Sequence, residues 1–178
     1  MKQKIFVLLC CILFSIQASQ VIILMGPSCA GKSTLSKYLH AAFIAKNEAW
    51  AVVDFDKVEE SIERLIATTH EYLEKNINVI IDTNTYENEI DKKCNGAATK
   101  IIIVTAPLDI LLQRDEKRTQ RLKRSEHRAT QCRHFVISSF NESLTWPSDL
   151  IIDSSQQSAQ EACNIILDFL KAYEIPNL

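Results

Sequence analysis

The sequence predicts an α/β fold in which helices flank a parallel β-sheet. The first observation behind this prediction is that short apolar runs alternate with amphipathic stretches after residue 20, because strands that alternate with helices build a parallel sheet. The second is the composition of the 178 residues, of which 47% are hydrophobic and 24% are charged, as in globular domains. One domain over residues 20–178 is therefore expected, large enough to fold without disulfides or a structural metal.

The five predicted strands are short apolar runs in which valine and isoleucine are frequent. Such runs are typical of strands that are buried on both faces of a parallel sheet. They cover residues 21–25, 50–53, 77–81, 100–105 and 150–152.

Helices are predicted between the strands by apolar side chains at helical spacing. This spacing predicts a helix directly after residue 31, one over residues 58–66 and one that begins at Pro107. Thr68 followed by Glu71 forms a capping box and predicts the start of a separate helix. The last helix is expected to bury Ala162, Ile165, Ile166, Phe169 and Leu170.

The N-terminus has the pattern of a secretory signal peptide. Lys2 and Lys4 precede an apolar run over residues 5–14, and a segment of small residues ends at residue 19, which is the order of such signals. The run is too short for a bilayer-spanning helix, which needs about 20 residues. Residues 1–19 are therefore expected to be removed on export. A cytoplasmic protein with a buried N-terminal segment is the alternative.

The motif G-x-x-x-x-G-K-[ST] lies between the first predicted strand and the first predicted helix, where it forms a phosphate-binding loop (P-loop). In such a loop the backbone N–H groups and the helix N-terminus face a phosphate chain. The whole chain holds three glycines, so two of them in this loop make a chance match the weaker explanation. The loop and the threonine after it are Gly26, Pro27, Ser28, Cys29, Ala30, Gly31, Lys32, Ser33 and Thr34.

The residue types of the loop suit the binding of a nucleoside triphosphate. Gly26 and Gly31 allow the backbone to bend around the phosphates. Lys32 brings positive charge to the β- and γ-phosphates and is a catalytic candidate, Ser33 offers its hydroxyl to Mg²⁺, and Thr34 is expected near the α-phosphate. No N/T-K-x-D element that would read guanine follows a predicted strand. ATP and Mg²⁺ are therefore the expected cofactors.

Three aspartates follow predicted strands, at the edge where parallel sheets bind their ligands. Asp82 ends the third strand and is expected to hold the metal with Ser33, and a helix cap is the alternative. Asp54 and Asp56 follow the second strand, and each could take a proton from an acceptor hydroxyl. Asp56 is the preferred general base and Asp54 the alternative.

Residues 113–133 form a basic segment in an otherwise acidic chain. The segment holds eight Lys or Arg and three acidic residues, whereas the chain has a net charge of −2, which excludes a globally basic nucleic-acid binder. Arg114, Arg118 and Arg121 recur at helical spacing, so one helix face is expected to present them to phosphates. Arg114 and Arg118 are catalytic candidates in a helical lid over 113–133, and a solvated helix is the alternative.

These residues resemble the small P-loop kinases, and within them chloramphenicol phosphotransferase and its relatives, with zeta toxins and shikimate kinase further away. The resemblance rests on the P-loop after an apolar strand, on Asp56, on the helix with Arg114 and Arg118, and on the stretch over 152–163. It implies a P-loop NTPase fold with a five-stranded parallel sheet in the order 2-3-1-4-5, ATP with Mg²⁺, and Asp56 as the base. It also implies that residues 153–156 help to hold the adenine.

The sequence departs from the antibiotic kinase at Pro27 and Cys29, in its longer basic lid and in its export signal, so chloramphenicol is not carried over as substrate. The leading interpretation is a kinase that transfers the γ-phosphoryl group of ATP to a hydroxyl of a small molecule. An exported nucleotide-binding protein without turnover is an alternative favoured by the signal peptide. A kinase of nucleic-acid or nucleotide ends is an alternative favoured by the basic segment.

Overall fold

The computed structural model of the chain describes residues 19–58, 61–86, 90–94 and 96–173, with a five-stranded β-sheet at its centre. The order across the sheet is β2-β3-β1-β4-β5, and all neighbouring strands are parallel. The predicted fold class and strand order are therefore confirmed. The strands are β1 (Gln20–Met25), β2 (Trp50–Asp54), β3 (Asn78–Asp82), β4 (Ala98–Thr105) and β5 (Leu150–Asp153).

Five α-helices within the described ranges connect the strands and cover the sheet. A 3₁₀ turn, Phe55–Lys57, directly follows β2, and a second, Ile90–Lys93, precedes β4. The helices are α1 (Lys32–Ala45), α2 (Ile62–Leu73), α3 (Leu108–Leu122), α4 (Glu126–Ser143) and α5 (Ala159–Tyr173).

The central strand β1 is buried on both faces, as its continuous apolar run predicts. Its alternate side chains belong to two separate clusters of the core. Ile22 and Leu24 pack in the cluster that includes residues of α1 and α5. Val21 and Ile23 pack in the cluster that includes residues of α2. This burial fixes the end of β1, and therefore the start of the P-loop, at the middle of the sheet.

Helix α2 is a single helix where the sequence predicts two. Ser61 caps its start by accepting a hydrogen bond from the backbone N–H of Arg64. Thr68, the predicted start of a second helix, lies inside α2. The neighbouring Thr69 is buried, and its hydroxyl donates to the carbonyl oxygen of Leu65 at 2.8 Å. The helix continues through both threonines, so the capping-box pattern of Thr68 and Glu71 did not mark a boundary here.

Helix α5 buries only part of its predicted face. Ala162 and Ile166 are buried as expected, Phe169 and Leu170 are half-buried, and Ile165 is 38% exposed, whereas Cys163 is buried instead. The start of the helix carries the hydrogen bonds of a capping box, because Glu161 accepts from the N–H and the hydroxyl of Ser158 and donates its own N–H to that hydroxyl.

The basic segment lies on two helices rather than on one. Residues 113–122 belong to α3, and α4 begins at Glu126. Between them Lys123 adopts a left-handed backbone conformation with φ 50°, and Ser125 caps α4 by accepting from the N–H of Arg128. The sequence hides this break because the segment stays polar and charged across it, so its periodicity does not change.

The predicted signal peptide, residues 1–19, lies outside the described residues except for Ser19. In the described ranges no helix combines the length and the apolar character that crossing a membrane requires.

Candidate active site

The carboxyl ends of three adjacent strands bring the predicted site residues together. Leu24 of β1 and Asp54 of β2 are both register partners of Asp82 in β3. The P-loop follows β1 immediately, and Lys32 begins α1. Parallel strands end at one edge of the sheet, so residues that are 50 positions apart in sequence line one cleft.

The P-loop bends through three residues with positive φ. Gly26 has φ 145°, Cys29 67° and Gly31 99°. At Gly26 the loop passes so close to β4 that a Cβ atom would lie 1.9 Å from the carbonyl oxygen of Val104. Glycine is therefore required at position 26 for space as well as for backbone conformation. Cys29 is a rare non-glycine residue in this conformation.

Lys32 is the buried cation of the loop. Its Nζ donates to the carbonyl oxygens of Gly26 at 2.9 Å and of Pro27 at 3.0 Å. Burial lowers the pKa of Lys32 below its ordinary value, and the negative charges of Asp82 and Asp56 oppose this shift. The ammonium group thus lies inside the curve of the loop, where a phosphate chain could replace the two carbonyl oxygens as its partner.

Asp82 is 4% exposed and has a carboxylate oxygen, Oδ2, that is buried without a hydrogen-bond partner. Burial raises the pKa of Asp82, whereas the charge of Lys32 and a hydrogen bond with the Ser33 side chain oppose the shift. A buried carboxylate oxygen without a partner costs free energy unless a ligand satisfies it. The predicted alternative for Asp82, a helix cap, is not what its contacts indicate.

The Ser33 and Asp82 pair fits Mg²⁺ by its chemistry. Both offer oxygen atoms, which this ion prefers, and the unpartnered Oδ2 is the kind of atom that a metal or its bound water would satisfy. In the described part of the chain no group of three or more His, Cys, Asp and Glu could hold a metal ion. The ion would therefore keep waters and phosphate oxygens as its remaining ligands, as Mg²⁺ usually does.

Asp54 and Asp56 have different surroundings. The Asp54 carboxylate accepts from the N–H of Asp56 at 3.1 Å and pairs with Lys57 Nζ at 3.1 Å. Asp56 is exposed, at the middle of the 3₁₀ turn after β2. Asp54 thus caps the turn, whereas Asp56 borders two of the spaces around the P-loop.

Three spaces surround the P-loop. The phosphate cleft, about 610 Å³, is lined by the loop from Ser28 to Thr34 except Ala30, by Asp54, Asp56 and Asp82, and by three arginines of α3. The base pocket, about 220 Å³, lies on the other side of the loop, between Leu35, Val104 and Ile152. The second cavity, about 570 Å³, adjoins the phosphate cleft. The phosphate cleft and the second cavity share Ser28, Asp56, Asn84 and Arg118.

The arginines of α3 divide into two groups. Arg118 and Arg121 line the phosphate cleft and are exposed, as the helical spacing predicts. Arg114 lies between the phosphate cleft and the base pocket, and its guanidinium donates to the Ser154 hydroxyl and carbonyl, each at 2.8 Å, and to the Cys29 carbonyl at 3.4 Å. Arg114 therefore joins the P-loop to the turn after β5.

Two further residues at the site were not singled out by the sequence. Gln157 lines the base pocket, and its Oε1 is buried without a partner. Asp115 is 5% exposed and pairs with Arg124 at 3.0 Å, beside the thiol of Cys29. Asp115 follows Arg114 on α3. Its burial could have been predicted from helical spacing, because it lies four residues after the buried Leu111 and therefore on the same face of the helix.

The fold resembles that of several solved structures at low sequence identity. The APS kinase CysC of Mycobacterium tuberculosis, in complex with AMPPNP and APS, has a TM-score of 0.64 at 19% identity, over 86% of this chain and 98% of that one. Shikimate kinase of Acinetobacter baumannii, in complex with shikimate, has 0.56 at 14%, over 91% and 98%. The protein APE1195 has 0.67 at 15%, over 88% and 97%.

Among proteins with a curated description, no sequence matches this chain significantly. A protein family does match: residues 21–136, which include the P-loop, all three aspartates, α3 and the first half of α4, fit the family described as AAA domain, AAA_33. The match covers more than half of the chain, and the fold is that of P-loop kinases. The chain therefore belongs to this AAA domain family and has a P-loop kinase-like fold.

Proposed function

We propose that this protein is a kinase that transfers the γ-phosphoryl group of ATP to a hydroxyl of a small molecule. The observation that carries the proposal is the meeting of the phosphate cleft and the second cavity at Asp56 and Arg118. A transfer reaction needs the donor phosphate and the acceptor hydroxyl side by side, with a base and a cation between them. A protein that only binds a nucleotide has no need of the second cavity.

The base pocket suits a purine. Its walls are apolar at Leu35, Val104 and Ile152, and the unpartnered Oε1 of Gln157 can accept a hydrogen bond from an amino group of the base. Arg114 holds the turn after β5 against the P-loop. We infer ATP as the nucleotide because adenine carries such an amino group and because the sequence lacks a guanine-reading element.

The proposed chemistry is an in-line displacement. The acceptor oxygen attacks the γ-phosphorus, its proton passes to the Asp56 carboxylate, and the bond to the bridging oxygen breaks, so that ADP leaves with the electron pair. Lys32 and Arg118 balance the negative charge on the phosphoryl oxygens in the transition state. Ser33 and Asp82 would hold Mg²⁺, which when bound neutralises phosphate charge.

The experiment that tests the proposal compares Asp56→Asn with Asp54→Asn. We expect Asp56→Asn to lower kcat by about 10²–10⁴-fold, the usual contribution of a general base, with little change in the KM for ATP. Asp54→Asn keeps the oxygen that accepts from the Asp56 N–H, so we expect a much smaller loss. Release of ADP with a panel of hydroxyl compounds provides the assay.

The proposal fails if the wild-type protein binds AMPPNP but turns over no acceptor. That outcome would favour an exported nucleotide-binding protein, the alternative that the predicted signal peptide motivates. Equal losses in the two variants would instead leave the kinase intact and remove Asp56 as the specific base.

The metal assignment gives a second prediction, for Asp82→Asn. We expect Mg²⁺ to strengthen AMPPNP binding in the wild type by at least about tenfold, because the ion bridges protein and phosphate oxygens, and we expect this gain to be lost in the variant. Isothermal titration with and without Mg²⁺ measures it. Asp168→Asn, an exposed carboxylate on α5, is the matched control and should keep the full metal effect.

Asp82→Asn also has an expected signature in the ligand-free protein. Because burial raises the pKa of Asp82, the folded state holds this proton more tightly than the unfolded chain does. The free energy of unfolding is then expected to fall as the pH rises from about 4, the ordinary value of aspartate, through the raised pKa. Urea titrations across this range should show the fall in the wild type and a weaker one in the variant; identical pH profiles would contradict the assignment.

A further inference from the structure

The composition of the second cavity goes beyond what an uncharged alcohol would require. The acceptor hydroxyl must lie near Asp56, at the border with the phosphate cleft, so the rest of the acceptor occupies this cavity. Its volume of about 570 Å³ is in the range of pockets that enclose whole small molecules. The chemical class of the acceptor can therefore be inferred from the side chains that line this cavity.

Two of the three arginines that line the second cavity form no ion pair in the part of the chain that the structure describes. Arg118, Arg124 and Arg128 line it. Arg124 is paired with the buried Asp115 at 3.0 Å, and Arg118 is shared with the phosphate cleft. Arg128 lies near the start of α4. Of the three spaces around the P-loop it borders the second cavity alone, and its guanidinium donates to the uncharged side chain of Gln131 at 3.4 Å. Within the described ranges, neither Arg118 nor Arg128 forms an ion pair.

The two carboxylates that remain in the cavity, Asp56 and Glu142, equal Arg118 and Arg128 in number but form no ion pair with them among the described residues. Asp56 is the proposed base and faces both spaces. Glu142 lies two turns after Phe135 on α4. Its carboxylate accepts a hydrogen bond from the Ser138 hydroxyl at 2.8 Å, on an exposed face of the helix. Arg128 belongs to the basic segment and lies about four turns away from Glu142 on the same helix. An anion bound there would meet a fork of guanidinium donors that suits phosphate and carboxylate groups.

Two phenylalanines give the cavity aromatic walls. Phe55 lies in the turn after β2 and packs in part against the core. Phe135 projects from α4 and is 45% exposed. The flat face of a phenyl ring stacks on planar rings. One ring from the turn after β2 and one from α4, both lining the same cavity, therefore suit a planar group in the acceptor.

We propose that the acceptor is a small molecule that joins a planar ring, an anionic group and the hydroxyl to be phosphorylated. The ring lies against Phe55 and Phe135, and Arg128 binds the anionic group. The hydroxyl then points to Asp56 and is phosphorylated as described above, with the proton passing to Asp56 and ADP as the leaving product. This inference rests on the proposed function and names the substrate class of the same site.

The test separates the two proposals by measuring binding before turnover. The full chain is first titrated with AMPPNP and Mg²⁺, and a lack of binding at this step would contradict the proposed function itself. The AMPPNP-loaded protein, in which the P-loop is occupied, is then titrated with four probes: adenosine, adenosine 5′-carboxylate, adenosine 5′-monophosphate and ribose 5-phosphate. The three adenosine compounds share the ring and differ in the anionic group, whereas ribose 5-phosphate keeps the phosphate and lacks the ring. Comparison of the 5′-carboxylate with the 5′-monophosphate shows whether the site prefers a carboxylate or a phosphate.

We expect the adenosine 5′-monophosphate or the 5′-carboxylate to bind at least about tenfold more tightly than adenosine, the size of a charge-assisted hydrogen bond. Arg128→Gln should remove this preference without changing the affinity for adenosine. Phe135→Ala should weaken the binding of the ring-containing probes and leave ribose 5-phosphate unaffected. Arg133→Gln on the same helix, which borders a different cavity, is the matched control and should behave as the wild type.

Three outcomes would overturn the inference while leaving the nucleotide site intact. The first is equal affinity for adenosine and its two charged forms. The second is the absence of binding by every anionic probe to the AMPPNP-loaded protein. The third is tight, strongly salt-dependent binding of single-stranded oligonucleotides without binding of the monomers, which would assign the arginines to a nucleic-acid backbone.

Discussion

Replacement of Lys32 by alanine is expected to lower the transfer rate by at least about 10²–10³-fold, the effect of removing one preorganised charge from a phosphoryl-transfer site. The physical reason is the position of the ammonium group inside the P-loop, where it contacts the carbonyl oxygens of Gly26 and Pro27 and is withdrawn from water. A charge in such surroundings acts on phosphates more strongly than a solvated one. Isothermal titration with AMPPNP measures the effect on nucleotide binding, and an ADP-release assay measures the effect on transfer.

The fold is expected to survive Lys32→Ala. The variant leaves two carbonyl oxygens without this donor, which costs about 1–3 kcal/mol at most, and it also removes a cation whose burial is unfavourable, as its lowered pKa indicates. Lys171→Ala, at an exposed ion pair on α5, is the control and should keep full activity. An unchanged transfer rate in Lys32→Ala would refute the assignment of the loop to phosphate binding.

Gly26→Ala is expected to have the largest effect on stability. The new Cβ would lie 1.9 Å from the carbonyl oxygen of Val104, and a backbone atom of a central strand cannot move aside easily. The change also forces a residue with a side chain to keep φ 145°. We expect the free energy of unfolding to fall by about 2–4 kcal/mol and AMPPNP binding to be lost, as measured by urea denaturation and titration calorimetry.

Gly96→Ala separates the two causes of this effect. Gly96 also has positive φ, at 76°, but nothing lies within 4 Å of its hypothetical Cβ. The free energy of unfolding of this control variant should therefore fall only by the cost of the backbone conformation, about 1–2 kcal/mol. The variant should retain nucleotide binding. Similar losses of stability at both positions would mean that the contact with β4 does not constrain the loop.

Patterns that repeat along the chain predicted most of the fold. The five strands and most helices follow from apolar spacing, which is local information that a buried face imposes on every element. The order of the strands needed the resemblance to P-loop kinases. Local signals failed where two explanations share one pattern: a threonine inside α2 looked like a helix cap, and the charged stretch around Lys123 concealed a break between two helices.

The sequence predicted some residues of the candidate site more completely than others. It identified the P-loop directly, because the spacing of the motif and its position between a strand and a helix both indicate the same structure. Asp56 was preferred as the base over Asp54, but the sequence left Asp54 as an alternative because both follow the same strand. In the structure Asp54 caps the turn, while Asp56 borders both the phosphate cleft and the second cavity. Arg114 was expected at the phosphates; it lines the phosphate cleft and also joins the Cys29 carbonyl to Ser154.

The strands, the P-loop and the kinds of side chain that can bind a nucleotide could be predicted from the chain alone, because they depend on residues that are adjacent or regularly spaced. The three-dimensional packing was needed to show which groups share a space: the unpartnered oxygens of Asp82 and Gln157, the buried pair of Asp115 and Arg124, and the aromatic and cationic walls of the second cavity. Such meetings depend on strand register and helix packing, which join segments more than 80 residues apart and leave no periodic trace in the chain.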